Sequence, residues 1–272
     1  PSMPYEGYVI LNNEKLKKIF YENNLVTEEE VRKYIKNQII FKPKENLNPS
    51  METSFHCFLP KWVVHTHPLY LNIILSTKEA KHLINKIFNK KHNFIEYKKP
   101  GYILSKSIFE NYQKNEDNLV VYLLLNHGLI VAGDNPYECL KETLEISEKC
   151  KNFVNSKISN KIISYQNPTK CESNKMSGFL GNKFNNIQEF FFPDDAVFLS
   201  DIKNNPKFKI VDGKIFYNLE YESAKNIDEI LYAHNIIYDS IEYIGTPNYL
   251  NTNDIFELIS LEEEKQRRKL IN

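Results

Sequence analysis

The sequence predicts a protein of mixed α/β structure, because apolar runs typical of strands alternate with amphipathic helical segments. Residues 118–125 and 129–132 are nearly continuous apolar runs, the signature of strands buried on both faces of a sheet. In residues 77–88 the apolar positions recur at i, i+3, i+4, i+7 and i+8, which is one face of a helix. A chain of 272 residues is long enough for one core, or for one core with an appended lobe.

The first half of the chain reads as a series of short elements. Residues 7–11 predict a strand, and a helix follows through Leu16 and Phe20. Thr27 with Glu30 forms a capping box for a second helix. Residues 62–65 predict a strand, and Pro136 at a first helical position begins a long helix. The predicted core face of that helix consists of Tyr137, Leu140, Leu144, Cys150 and Val154.

The second half is less regular. Residues 155–188 are polar and predict a linker or flexible surface, and residues 196–199 predict a strand. Asp212 and Gly213 predict the turn of a hairpin over residues 208–216. A long helix follows with His234 on its apolar stripe, so His234 is expected to be a packed, hydrogen-bonded core residue. His82 lies off the apolar stripe of its helix and His92 lies in the last turn of that helix, so both are expected in solvent.

Composition restricts the classes of partner. The chain contains 35 lysine and arginine residues together and 35 aspartate and glutamate residues together, so its formal net charge is zero. Neither nucleic acid nor an anionic membrane is therefore expected as a partner. No apolar run approaches the length of about 20 residues that spans a bilayer. The four cysteines show no disulfide-framework spacing and there is no signal-peptide pattern, so reduced thiols and a cytoplasmic location are expected.

Three histidines and one acid form the candidate site. His65 and His67 lie two residues apart at the end of a predicted strand, so their side chains point to the same face. His127 follows another buried strand, immediately before a glycine, and Glu52 begins a short predicted helix. Three imidazoles and one carboxylate suit zinc, with room for a water or a substrate oxygen.

The simpler interpretation is that each histidine is only packed or solvated, which is the usual situation for a histidine beside apolar residues. The histidine pair by itself does not decide between the two interpretations. The combination of that pair, the acid upstream and the Asn-His-Gly turn favours a metal site.

Three motifs in this order resemble the signatures of the class II aldolase/adducin family. They are Pro-Ser-Met-Glu-Thr-Ser-Phe-His (49–56), Val-Val-His-Thr-His-Pro (63–68) and Asn-His-Gly-Leu-Ile-Val-Ala-Gly (126–133). The resemblance covers about residues 49–155. Further along, Pro193-Asp194-Asp195 and the terminal pattern of Glu262, Glu264, Lys265 and Arg267 resemble the rhamnulose-phosphate and fuculose-phosphate aldolase-like branch. Residues 1–5 resemble a variant of that family's phosphate-binding loop, with Met3 in place of glycine.

The resemblance implies a fold and a division of the chain. The expected fold is a three-layer α/β/α class II aldolase-like domain with a mixed, largely antiparallel central sheet, plus a smaller C-terminal α+β extension. The zinc domain would span residues 1–158, and the extension of a hairpin and helices would span 159–272 and pack on it. A homo-oligomer, commonly a tetramer with the zinc site at a subunit interface, is also implied.

The resemblance also implies an activity in carbohydrate metabolism. His65, His67 and His127 would bind one Zn²⁺ per chain, and Glu52 would contact the metal and act as acid and base. Ser50, Asn126 and Gly128 would bind the substrate. The expected activity is that of a lyase, a zinc-dependent aldolase that cleaves or forms a ketose, expected to be a ketose 1-phosphate, through a metal-bound enediolate. The expected partner is therefore a small sugar or sugar phosphate.

Several alternatives remain open at this point. A sugar-phosphate epimerase, decarboxylase or dehydratase would use the same metal site, and all three activities occur in the family. A non-catalytic adducin-like module would keep the fold without the chemistry. The sequence contains no glycine-rich dinucleotide-binding loop and no Ser-His-Asp set.

Overall fold

The computed structural model describes residues 7–21, 27–88, 92–112, 119–158, 162, 164–173, 176–185, 187–261, 264–265 and 268. The strands are β1 (Ile10–Leu11), β2 (Ile39–Phe41), β3 (Trp62–Thr66), β4 (Asn93–Ile95), β5 (Leu119–Leu124), β6 (Gly128–Gly133), β7 (Thr169–Ser173), β8 (Met176–Lys183), β9 (Phe208–Val211) and β10 (Lys214–Tyr217). The α-helices are α1 (Asn13–Lys17), α2 (Glu28–Lys36), α3 (Thr53–His56), α4 (Leu69–Leu75), α5 (Ala80–Ile87), α6 (Tyr102–Asn111), α7 (Pro136–Asn155), α8 (Pro193–Leu199), α9 (Tyr221–Ser240) and α10 (Thr252–Ser260).

The central sheet has the strand order β3-β6-β5-β4. Only three residues join β5 to β6, which requires these two strands to be antiparallel, because a parallel pair needs a long crossover. All of β6 and five of the six residues of β5 are buried, as their apolar runs predict. The predicted α/β fold class, a central sheet with helices and additional C-terminal elements, is confirmed.

The described chain divides into two compact units. The first unit comprises Pro1–Val64, Lys98–Tyr122 and Ile130–Lys141, and the second comprises His65–Tyr97, Leu123–Leu129 and Glu142–Asn272. The predicted division at residue 158 stays a prediction. No helix in the described part of the chain is both long enough and apolar enough to cross a bilayer.

In the first unit, helices α1 and α2 pack around a small apolar core. The predicted capping box is confirmed, since the Thr27 hydroxyl accepts from the Glu30 N–H and the Glu30 carboxylate accepts from the Thr27 N–H. Such a box stabilises the first turn because it satisfies N–H groups that have no partner within the helix. The buried members of the core are Leu16, Ile19, Val31, Ile35 and Cys57.

The second unit contains a further antiparallel sheet, in the order β7-β8-β10-β9. The predicted hairpin is confirmed as β9 and β10, and Asp212 (φ 49°) and Gly213 (φ 73°) form its turn. Two successive positive φ angles give the tight turn whose twist matches that of the flanking strands. Helices α8, α9 and α10 pack beside this sheet around one large apolar cluster.

Four expectations from the sequence are wrong. Residues 196–199 belong to helix α8, and the supposed linker contains the paired strands β7 and β8. His92 is buried against the ring of Phe88 instead of lying in solvent. On α7, Cys150 and Val154 are buried as expected, whereas Tyr137, Leu140 and Leu144 are exposed. The motifs at residues 1–5, Glu262 and Arg267 lie outside the described residues.

Candidate metal site

The end of strand β3 presents two histidines side by side. His65 lies within the strand and His67 follows its last residue, so both side chains leave the same face of the chain. Their Nε2 atoms are 3.3 Å apart. The prediction that the two imidazoles converge is therefore confirmed.

The turn between β5 and β6 supplies the third histidine. Asn126 adopts a left-handed conformation (φ 55°), which reverses the chain. The His127 N–H donates to the Leu124 carbonyl, and the His127 carbonyl accepts from the Asn72 side chain. The His127 side chain is buried, and these backbone bonds fix the position from which it projects.

The three imidazole rings form a nearly equilateral triangle. Their centroids are 4.9 Å apart for His65 and His67, 5.1 Å for His65 and His127, and 5.0 Å for His67 and His127. One ring nitrogen from each histidine lies within 4.8 Å of the other two. The structure thus brings all three predicted histidine ligands together.

A hydrogen bond determines which ring nitrogen of His65 carries the hydrogen and which presents a lone pair to the centre of the triangle. Nδ1 of His65 lies 2.9 Å from the Leu129 carbonyl oxygen. A carbonyl only accepts, so Nδ1 carries the hydrogen and Nε2 of the neutral ring presents its lone pair. This arrangement, in which the outer nitrogen donates to an acceptor, is typical of histidines that bind metals.

His67 has a comparable arrangement with a carboxylate. Its Nδ1 lies 3.3 Å from Oδ2 of Asp194, which favours a hydrogen on Nδ1 and a lone pair on Nε2. Two imidazole lone pairs facing each other at 3.3 Å repel unless a cation or a proton lies between them. The geometry of the pair therefore fits a metal ion.

The separation of the two nitrogens also fits the size of the ion. Zinc–nitrogen bonds of about 2.0–2.1 Å at a tetrahedral angle place two ligand nitrogens about 3.3–3.4 Å apart. Neutral imidazoles suit zinc and the other late first-row divalent metals. The three histidines can thus hold a divalent transition metal ion.

Gly128 allows the strand that follows His127 to approach β3 closely. A Cβ atom at residue 128 would lie 2.6 Å from the Thr66 carbonyl oxygen and 2.7 Å from Cδ2 of His67. Both distances are too short for any side chain. Glycine is therefore needed at this position for packing, and its predicted contact with substrate stays a prediction.

Asn126 serves the local structure in this turn. Its amide nitrogen donates to the carbonyls of Phe191 (2.9 Å) and Asn248 (2.6 Å), and its amide oxygen accepts from the Asn248 side chain. These bonds satisfy a polar side chain that is only 2% exposed. A role of Asn126 in substrate binding stays a prediction.

Glu52 and Ser50 belong to the first unit, whereas the three histidines belong to the second. Glu52 is partly buried at the N-cap of α3, as the sequence predicts, and its N–H donates to the Ser50 hydroxyl at 3.2 Å. Ser50 is exposed at the start of that turn. The acid–base role of Glu52 and the substrate-binding role of Ser50 stay predictions.

Sequence reasoning missed the acidic side of the site. Asp194 and Asp195 occupy the first turn of α8, and only Asp194 lies beside a histidine of the triangle. Asp195 is fully buried and accepts from Nδ1 of His234 at 2.9 Å. Burial raises the pKa of the Asp195 carboxyl, while the bond to His234 acts in the opposite direction. The Pro-Asp-Asp run was the available signal, but no local pattern connects it to a histidine.

Comparison with known proteins agrees with this geometry. The model of the Class II Aldolase and Adducin N-terminal domain matches residues 18–154, which is half of the chain and includes all three histidines. The chain belongs to the class II aldolase/adducin family. Members of this family are typically metal-dependent, which fits the triangle of imidazoles.

Two further proteins are similar to parts of this class II aldolase/adducin chain. An uncharacterized oxidoreductase of Bacillus subtilis (strain 168), YuxG, is 31% identical over 133 residues, which are 48% of this chain and 19% of YuxG. This chain thus spans about a fifth of that relative. The solved N-terminal class II aldolase domain of a conserved protein from Thermoplasma acidophilum is 24% identical, with a TM-score of 0.49 over 56% of this chain and 69% of that one.

Proposed function

We propose that this protein is a zinc-dependent lyase of the aldolase type, which cleaves or forms a ketose, with a ketose 1-phosphate as the preferred substrate class. The observation that carries the proposal is the convergence of the Nε2 atoms of His65 and His67 at 3.3 Å, with His127 completing the triangle. Membership of the class II aldolase/adducin family supports the reaction class.

The metal and the protein would divide the chemistry between them. A divalent cation at the three histidines would act as a Lewis acid toward a carbonyl and its neighbouring hydroxyl. The Leu129 carbonyl and Asp194 hold the outer nitrogens of His65 and His67, so the inner nitrogens stay directed at the site. Three histidines leave coordination for Glu52 in the resting site and for a substrate oxygen during the reaction, and such an exchangeable position separates a catalytic metal site from a structural one.

Glu52 is the proposed proton-transferring residue and a further metal contact. A carboxylate can take a proton from the substrate hydroxyl and return it to carbon, which an amide of the same shape cannot do. Ser50, Asn126 and Gly128 are the proposed substrate-binding residues. Because the Asn126 amide is bonded within the protein, its contribution would come through the turn that it holds.

Epimerase, decarboxylase and dehydratase activities are the alternatives on the same site, and a non-catalytic adducin-like module is the alternative without chemistry. The name of YuxG belongs to a protein about five times longer than the matched region, so hydride transfer is not proposed for this chain. A cytoplasmic homotetramer remains part of the proposal.

The experiment combines metal analysis with a product assay. Purified protein is analysed for bound metal, then incubated with zinc, dihydroxyacetone phosphate and a panel of short aldehydes, and the products are identified by mass. We expect about one zinc per chain, the value for a single three-histidine site, and a condensation product. His67→Ala should bind far less zinc, whereas the matched control His82→Ala, an exposed histidine on α5, should bind as the wild type does.

Two results would contradict the proposal. Full zinc occupancy in His67→Ala would refute the metal assignment. A zinc-loaded wild type that forms no product with any aldehyde and cleaves no ketose phosphate would favour the alternatives, and mass analysis with β-keto acids and sugar phosphates would then separate them.

A further inference from the structure

His67 is the histidine of the triangle that most needs an external support. It lies beyond the last residue of β3, and 32% of its side chain is exposed. His65, by contrast, is fixed inside the sheet by the Leu129 carbonyl, and the backbone of His127 is fixed by Leu124 and Asn72. The group beside the outer nitrogen of His67 is Asp194, on α8.

The segment that carries Asp194 is held at several points within the second unit. The Asp195 carboxylate accepts from the N–H groups of Phe191 (2.9 Å) and Phe192 (3.1 Å) and from the His234 ring (2.9 Å). Asp195 and His234 are 0% and 2% exposed. This buried pair fixes the start of α8, and therefore the backbone from which Asp194 projects.

The same segment is joined to the turn that carries His127. The Phe191 carbonyl accepts from the amide of Asn126, the residue before His127. One short stretch, residues 191–195, thus contacts the His127 turn through Phe191 and His67 through Asp194. It lies outside residues 18–154, the part of the chain that the family model matches.

We propose that residues 191–195 form an outer shell of the histidine site, in which Asp194 is a positioning residue that orients His67 for metal binding and the Asp195–His234 pair holds Asp194 in place. The inference rests on the metal site of the proposed function. It adds that the C-terminal part of the chain, and not only the family domain, determines how tightly the metal is held.

The physical reason is the geometry of the imidazole ring. A carboxylate beside Nδ1 fixes the hydrogen there, orients the ring and makes Nε2 a stronger donor to a metal. Removing such a partner typically lowers metal affinity about 10- to 100-fold. Asp194→Ala is therefore expected to weaken zinc binding by that factor, and Asp194→Asn, which keeps an acceptor oxygen without the charge, by less.

The test measures the zinc dissociation constant by competition with a chromophoric chelator. The wild type, Asp194→Asn and Asp194→Ala are compared with Asp239→Ala, an exposed aspartate on α9 that serves as the matched control. The melting temperature of each metal-free protein is measured alongside. We expect zinc to bind most tightly to the wild type and the control, less tightly to Asp194→Asn and least tightly to Asp194→Ala. The stability of the metal-free protein should change little, because Asp194 is 20% exposed and pairs near the surface.

A second comparison tests whether Asp195 acts through Asp194. His234→Gln and Asp195→Asn should weaken zinc binding in the wild-type background but not further in the Asp194→Ala background. His234→Gln keeps an amide donor in the buried position and is expected to fold, but without the rigid ring it holds the Asp195 carboxyl less firmly. It therefore gives a reading even where Asp195→Asn does not fold.

The outcomes separate this inference from the proposed function. If the wild type binds zinc and Asp194→Ala binds it equally tightly, this inference fails and the proposed function stands. If the wild type binds no divalent ion, both fail. If the losses from Asp194 and Asp195 add fully, Asp195 does not act through Asp194 and the inferred support is wrong.

Discussion

Two adjacent aspartates each pair with a histidine, and the two pairs differ in what surrounds them. Asp194 and His67 are 20% and 32% exposed, whereas Asp195 and His234 are 0% and 2% exposed. The chemical groups are the same in both pairs. The distances are also similar, at 3.3 Å and 2.9 Å.

The difference lies in what surrounds the side of each imidazole ring that faces away from the aspartate. The inner nitrogen of His67 faces the inner nitrogen of His65, in a site that a cation can occupy. The ring of His234 lies among aromatic rings, 5.4 Å from Phe191 and 6.4 Å from both Phe190 and Tyr238. An Asp–His pair therefore indicates a functional site only when the histidine nitrogen that does not face the aspartate can bind a metal or a ligand. Otherwise the pair supports the fold.

The largest effect is expected at Glu52, the carboxylate proposed to transfer a proton, in contrast to Asp194, which only orients a ring. Glu52→Gln should lower turnover about 100- to 10,000-fold, the usual contribution of a positioned general acid or base. Zinc content should fall much less, because three imidazoles remain. Rate of cleavage or condensation and zinc per chain are measured on the same preparation. Asp194→Asn should differ, since added zinc should restore its activity.

Other outcomes at Glu52 would change its assignment. Loss of zinc together with the rate would make Glu52 mainly a ligand. Activity close to wild type would mean that Glu52 only begins helix α3, where an acid near the helix dipole contributes under about 1 kcal/mol to stability.

Alanine substitution should have opposite consequences at His234 and at His67, lowering mainly stability at the first and mainly zinc binding at the second. His234→Ala leaves the buried Asp195 carboxyl without the imidazole that bonds to it and leaves a cavity where the ring was, which together cost about 3–5 kcal/mol of unfolding free energy. His67→Ala should lose zinc and change stability by less than about 0.5 kcal/mol in the metal-free protein. Urea unfolding of both variants, with His82→Ala as the exposed control, measures the contrast.

The loss in His234→Ala should also depend on pH. Burial raises the pKa of Asp195, and removal of His234 takes away the largest influence that lowers it. A carboxyl whose pKa is raised on folding binds its proton more tightly in the folded state, so stability falls as pH rises through that pKa. The destabilisation should therefore be smaller near pH 5 than near pH 8. A loss independent of pH would show that the missing ring volume, not the carboxylate, dominates.

The histidine triangle could be predicted from the sequence because its determinants are local. Strand periodicity alone directs His65 and His67 to one face. The Asn-His-Gly turn between two buried strands placed His127 at a strand end. His234 was also predicted correctly, because a histidine within an apolar helical stripe has to be packed and hydrogen-bonded.

The other features have two origins. The apolar run at residues 196–199 suits a strand or a buried helix, and the local signals that favour the helix are Pro193 in its first turn and Asp195, which accepts from the N–H groups of Phe191 and Phe192. The remaining features depend on partners distant in sequence. Strands β7 and β8 are rich in polar residues, and pairing of β8 with the hairpin strand β10 orders them. The contact between Asp194 and His67 likewise follows from the tertiary fold, so no spacing rule could reveal it.

The smallest predicted effect concerns the close approach beside His67. Gly128→Ala places a methyl group 2.6 Å from the Thr66 carbonyl oxygen and 2.7 Å from the His67 ring, so β3 or the ring has to move. Overpacking of this kind costs about 1–3 kcal/mol. Because the ring is one of the two groups in contact, zinc affinity should fall together with stability. Chemical denaturation and chelator competition measure the two quantities.

Gly213→Asn provides the contrast, because a Cβ at residue 213 meets nothing within 4 Å and asparagine tolerates the left-handed turn conformation. That variant should keep both stability and zinc affinity. If Gly128→Ala loses stability but binds zinc like the wild type, the strand has moved and the ring has not. The position of His67 would then be set by Asp194 rather than by the close packing of β3 on the His127 turn. That result would strengthen the contrast between the Asp194–His67 pair, which orients a metal ligand, and the buried Asp195–His234 pair, which maintains the fold.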